Sequence, residues 1–186
     1  MKKFLLQAVT LGVFFANGAW AHNVQLNHAL PAVSVATDGE LVVQGKSVSY
    51  KNWSSATLAG KVWVLQHIAG RSSVKEKNEP LMNAIRQANF DRSKYQTTTI
   101  INADDAIIAT GSFVKSSAEE GKLKNPHTLV VLDQASAVKK AWALKEKESF
   151  IAVLDKNGKV QFVSEGKLSA DQIQQVVDLT KKLIEQ

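Results

Sequence analysis

The stretch Val62-Trp63-Val64-Leu65-Gln66-His67 is an almost continuous apolar run that follows Gly60-Lys61. It lacks the in–out alternation of a strand with one wet face, so it reads as a strand buried on both sides. Such a strand needs a sheet covered by helices. A short loop comes next, and a helical pattern begins near Ser73. Ser73 and Glu76 have the S-x-x-E spacing of a capping box. Val74, Leu81, Ile85 and Ala88 share one helical face, with Pro80 inside the pattern. In sheets of this kind functional groups gather at the carboxyl ends of the strands, which places the Gln66–Ser73 loop at a functional edge.

The rest of the chain extends the same architecture. Val33–Ala36 and Leu41–Val43 flank Asp38-Gly39 and predict a β-hairpin turning at that pair. Ser47–Tyr50 is a further extended piece, and Trp53–Leu58 a short turn or helix. Thr97–Ile101 and Leu129–Leu132 are further strands, ended by Asn102-Ala103-Asp104-Asp105 and by Asp133. Helices are expected over Ile107–Glu120 and Ala137–Leu144. Phe150–Leu154 and Lys159–Val163 bracket Asp155-Lys156-Asn157-Gly158, a hairpin signal. Ser169 and Gln172 form a second capping box, followed by an apolar stripe from Ile173 to Ile184. Alternating strands and helices, closed by a hairpin and a helix, give an α/β fold with a mixed central sheet flanked by helices and an N-terminal β-hairpin extension.

The first residues predict export. Lys2-Lys3 precede an apolar segment, and Ala19-Trp20-Ala21 is an A-x-A cleavage signal. Residues 1–21 are thus read as a signal peptide and residues 22–186 as a single domain, with a periplasmic destination and no integral membrane segment after cleavage. The leader carries two lysines and no acid, so the formal charge falls from +6 to +4. The remaining lysines are spread along the chain without a basic stripe and interleaved aromatics, which argues against nucleic acid as a partner.

The chain contains no cysteine. Thiol–disulfide exchange needs a thiolate nucleophile, so that chemistry is excluded. A disulfide scaffold is excluded with it.

This absence gains meaning from a resemblance. "GKVWVLQHIAG" is similar to the strand that leads into the active site of redoxins and periplasmic thiol reductases. "HTLVVLDQASAVKKAWAL" resembles their strand–Asp–helix stretch, and "FIAVLDKNGKVQFVSEGKLSADQIQQVVDL" their last hairpin and helix. The resemblance implies a thioredoxin-like fold. It places Ser72 and Lys75 on the two cysteines of C-x-x-C, Pro80 on the proline of the active-site helix, and Ser149 near the facing loop, where a cis-proline is replaced. "GKVWVLQHIAGRSSVKEKN", "YQTTTIINADDAI" and "VVLDKNGKVQ" are similar to the YtfJ family, small exported proteins of Gram-negative bacteria without an established activity.

The candidate site is therefore the former redox loop: His67, Arg71, Ser72, Ser73 and Lys75, with Ser149 opposite. Free amides at a helix start attract anions, and an arginine can grip a carboxylate or phosphate in bidentate fashion. The expected partner is an unknown periplasmic protein, a peptide or a small anionic ligand, and no cofactor is expected. The plain alternative is helix capping by Ser73 with a solvated Arg71. Ser72 with His67 and Asp104 or Asp105 sketches a non-thiol hydrolase, although a buried histidine bonded to backbone is the simpler reading. His22, as a new amino terminus, is a weak copper candidate with His28 and His127 as further imidazoles. Asp104-Asp105 and Asp133 are best explained as turn and cap residues. Trp53, Trp63 and Trp142 read as core.

Overall fold

The structure is a computed structural model that describes residues 22–186; the predicted leader lies outside the described residues. Seven strands form one sheet in the order β2-β1-β5-β4-β3-β6-β7. These are β1 (Ser34–Gln44), β2 (Ser47–Ser54), β3 (Val62–Ala69), β4 (Tyr95–Asn102), β5 (Leu129–Asp133), β6 (Ser149–Leu154) and β7 (Val160–Glu165). The β3–β4 and β4–β5 pairs are parallel, and the other four are antiparallel, so the sheet is mixed as expected. The helices are α1 (Ser72–Ala88), α2 (Gly111–Lys124), α3 (Ala137–Trp142) and α4 (Ala170–Ile184).

All eight residues of β3 are buried, as an unalternating apolar run requires. Successive side chains point to opposite faces. Val62 and Val64 pack with Leu81 and Ile85 of α1 and Val176 of α4. Trp63 and Leu65 pack on the other face with Val138 and Trp142 of α3, Phe150 and the lead-in residue Val24. Fully burying a side chain such as Leu65 stabilises the fold by about 1.5–3 kcal/mol. The lead-in is stitched to this second face: Asn23 N–H donates to the Trp142 carbonyl, and Asn27 N–H to that of Val160. Trp53, Trp63 and Trp142 are all buried, and Trp142 Nε1 donates to the Pro31 carbonyl at 2.8 Å.

Two local expectations are corrected. Asp38-Gly39 is not the hairpin turn. β1 runs through it, and the register jumps there from Val35↔Trp53 to Glu40↔Lys51. Asp38 and Gly39 both have positive φ, which suits a bulge as well as a turn. The pair is held in the sheet by β5, where Asp38 faces Asp133 and Gly39 faces Leu132. The chain reverses instead after Gln44, with Gly45 at φ 63°. The second correction concerns α1, which starts at Ser72 with Arg71 as its N-cap and no side-chain cap. Ser73 is already inside the helix, so its capping box does not form. The Ser169 box does form: Gln172 N–H donates to Ser169 Oγ, and Ser169 N–H to Gln172 Oε1.

α2 begins later than expected, after a turn in which Thr110 N–H donates to the Ile107 carbonyl. α1 packs mainly on β3, β6 and α4, whereas α2 packs on β1, β2 and β5. Both lie on the same face of the sheet, as shown by the buried partners of Val64 and Leu132. The strand between them, β4, is left partly uncovered on that face.

Candidate functional site

The loop after β3 is held tightly. Gly70 N–H donates to the Asn102 carbonyl at 2.8 Å, and Arg71 N–H to that of Ala69 at 2.7 Å. A Cβ on Gly70 would lie 3.1 Å from the Asn102 oxygen and 3.3 Å from side-chain atoms of Ala106 and Val114, so this approach favours glycine. Arg71 Nε donates to the Asp105 carbonyl at 2.7 Å. That bond uses the base of the guanidinium and fixes its direction at the helix start. Ser72, Ser73 and Lys75 are exposed, and no acidic side chain occupies the first turn of α1. The positive end of the helix dipole is thus uncompensated by any side chain of its own turn. Pro80 lies within α1, which continues past it.

Ser149 begins β6 and pairs with Ile68, beside the end of β3. It is buried, and its hydroxyl donates to the Gly166 carbonyl at 3.0 Å. No peptide bond among the described residues is cis. Glu148 ties this segment to α1 through a 2.6 Å ion pair with Lys77. Burial pushes the Glu148 carboxyl up, but the Lys77 hydrogen bond, the Ser149 N–H and the nearby lysine charges outweigh it and hold it below the usual range.

His67 does not join this group. Its neighbour Gln66 lies on the α1 face, where Asn78 Nδ2 donates to Gln66 Oε1 at 3.0 Å. His67 therefore projects to the α3 face, level with Ile100 and Phe150. It is 1% exposed, and neither ring nitrogen is hydrogen-bonded to a neighbouring side chain. The ring meets backbone only within its own residue, and no other residue takes up either nitrogen. Burial pushes the imidazole down to about 4, against the opposing pull of Asp133 and Asp105, with Lys139 adding to the fall. The two carboxylates are engaged elsewhere. Asp133 accepts from Ala135 N–H at 3.1 Å and Val138 N–H at 2.8 Å, which starts α3. Asp105 accepts from Lys139 at 2.9 Å and from Lys147 N–H at 3.2 Å. Its burial raises the carboxyl, and these two donors together with the Lys139 charge bring it below normal. Asp104 accepts from Ser136 at 2.8 Å. Ser72 and His67 thus stand on opposite sides of the sheet end, and the sketched Ser-His-Asp relay is not assembled.

His22 packs edge-on against Phe150, with ring centroids 5.3 Å apart. The His28 ring bonds the Leu26 carbonyl, and His127 is exposed in the loop between α2 and β5. The three imidazoles are not brought together. Among the described residues no cluster of three or more His, Asp or Glu side chains is placed to hold a metal ion.

Sequence reasoning missed the space beside the loop. A cleft of about 650 Å³ runs from Arg71, Ser72 and Lys75 down between α1 and α2, over β4. Its floor includes Thr97, Thr99 and Ile101, and its walls Met82 and Ile85 from α1 and Val114 from α2. Gln66 Nε2 donates to Thr99 Oγ1 at 2.9 Å, anchoring the floor. Phe113 and Ile107, at the mouth, are 79% and 57% exposed. The available signal was Thr97-Thr98-Thr99 in a central strand. A strand covered on both faces would carry Val or Ile there.

Comparison with known proteins agrees with this fold. The chain is 17% identical to a putative protein disulfide isomerase from Bacteroides thetaiotaomicron, with a TM-score of 0.61 over 89% of this chain and 93% of that one. It is 15% identical to a putative thiol:disulfide interchange protein DsbE from Chlorobium tepidum, with a TM-score of 0.59 over 87% and 99%. At these identities the likeness shows the thioredoxin-like fold alone. In sequence the chain is 54% identical to an uncharacterized protein of Haemophilus influenzae, over 98% of this chain and 99% of that protein. It is 46% identical to the uncharacterized protein YtfJ of Escherichia coli, over 89% and 90%. Residues 24–183 match the family described as "Bacterial protein of unknown function (YtfJ_HI0045)". A thioredoxin-like sheet without a single cysteine, and relatives alike along nearly the whole chain, establish that this protein belongs to the YtfJ family.

Proposed function

We propose that the protein is a periplasmic binding module whose ligand meets the former redox loop. The observation that carries this reading is the junction at Arg71–Lys75: a fixed guanidinium, an uncapped helix start and the upper end of a large cleft coincide there. Without sulfur the loop has no nucleophile for disulfide chemistry, but it retains donors aimed at one place. An acidic group placed there meets Arg71, Lys75 and the first amides of α1. The N-terminal leader supports delivery to the periplasm.

The test is capture from native periplasmic extract, with bound peptides and small molecules read by mass spectrometry. The bait is the protein beside an Arg71→Glu, Ser72→Glu version. A species retained only by the unmodified bait is the expected result. Identical retention by both baits would remove the loop from the account.

A further inference from the structure

If the protein is a binding module, the chemistry of its cleft narrows the ligand class; the inference rests on that function. About 650 Å³ lies within the range of pockets for small molecules, roughly 300–1,000 Å³. An added peptide strand is disfavoured, because both edges of β4 are already paired, to β3 and to β5. The cleft is apolar along its middle, at Met82, Ile85, Ile101, Val114 and Val130. Its charged lining is one-sided: Lys61, Arg71, Lys75, Arg86 and Arg92 face a single acid, Glu79. None of these five cations forms an ion pair among the described residues, whereas Lys77, Lys115 and Lys139 are all paired with carboxylates.

The two ends of the cleft are not equivalent. Arg86 stands in the last turn of α1, where a cation already complements the negative end of the helix. Arg71 and Lys75 stand at the positive end, which no carboxylate of its own turn offsets. Lys61 and Arg92 also stand at the lower end, but Lys61 Nζ already donates to the Arg92 carbonyl at 2.9 Å, so the helix dipole reinforces free cations only at the upper end. Ile107 and Phe113, both largely exposed, border that same end.

We propose that the cleft holds a small amphipathic anion, in its simplest form a long-chain carboxylate. Its acid group sits at Arg71 and Lys75, and its chain lies over Thr99 toward Ile85 and Val130. The charged head answers the unpaired cations, and the tail covers the open face of β4.

The experiment uses 11-(dansylamino)undecanoic acid as a fluorescent probe, with its methyl ester as the uncharged control. The full chain, expressed with its own leader, is titrated beside three variants. Gly121 lines the cleft, and a Cβ built on it meets no atom within 4 Å, so Gly121→Trp puts bulk into the space without an initial clash. Replacing a helical glycine also avoids a loss of helix propensity. Circular dichroism confirms that each variant is folded. Saturable binding of the acid is expected, weakened about tenfold or more by esterification and by Arg71→Glu, Lys75→Glu, and abolished by Gly121→Trp. Arg86→Glu should weaken it less than the upper pair. Absence of saturable binding, equal binding of acid and ester, or indifference to Gly121→Trp would overturn the proposal. A larger effect at Arg86 than at Arg71 and Lys75 would overturn the placement of the head. If the probe fails while capture still yields a loop-dependent species, the ligand class falls and the binding module stands; if both fail, both fall.

Discussion

His67→Leu should make the protein more resistant to acid. The imidazole is 1% exposed with neither nitrogen bonded to a neighbouring side chain, and burial lowers it from 6.5 to about 4. An unfolded chain binds this proton below pH 6.5, while the folded protein refuses it until about pH 4. The unfolded state thus holds more protons between these limits, so stability rises with pH across the window and falls as acid is added. At 1.36 kcal/mol for each pH unit, acidification from 6.5 to 4 costs roughly 3 kcal/mol, and stopping at pH 5.0 costs about 2 kcal/mol. Leucine abolishes this linkage and removes two buried ring nitrogens that no other residue satisfies, so the variant should be no less stable than the parent near neutrality. The assay is urea unfolding of both proteins at pH 7.5 and 5.0. The variant's advantage should grow by about 2 kcal/mol, or about 1 M in midpoint if the urea slope is near 2 kcal/mol/M. Asp105, Asp133 and Lys139 act on the ring in the parent and remain in the variant, and titrations common to both proteins cancel in the double difference. Parallel losses of stability would refute the buried neutral histidine.

Other substitutions test the packing around the site. Asp133→Ala removes the acceptor of two N–H groups at the start of α3, and chemical denaturation should show a loss of about 2–5 kcal/mol. Ser169→Ala should cost about 1 kcal/mol, because its hydroxyl caps α4, whereas Ser73→Ala should stay within about 0.5 kcal/mol because no cap forms there. Equal losses at the two serines would contradict the assigned helix starts.

The elements with a strong period were legible. β3 is apolar throughout and buried throughout, and the stripe of α4 carries its capping box in place. The Asp155–Gly158 hairpin also formed where its turn residues lie, with Gly158 at φ 75°. Asp38-Gly39 misled because a bulge and a turn ask the same positive φ of their residues. Only the pairing with β5, far along the chain, decides between them. Ser73 misled because the capping pattern does not fix which residue enters the helix first, and with Arg71 as the N-cap α1 starts two residues earlier than a Ser73 cap requires. Arg71, Ser72 and Lys75 do meet at one place, while His67 points through the opposite face, since strand parity separates it from Gln66. The cleft depends on the gap between α1 and α2 and had no local signature beyond the threonines of β4.

A ligand held at the Arg71–Lys75 helix start and in the cleft beneath it would shield backbone there from solvent. The decisive measurement is amide hydrogen exchange, followed with and without concentrated periplasmic small-molecule extract. Slower exchange is expected only along the loop and the cleft lining, at residues 70–76, 82–86, 97–101, 107–121 and 128–130. Protection elsewhere alone, or none at any extract concentration, would contradict binding at this site.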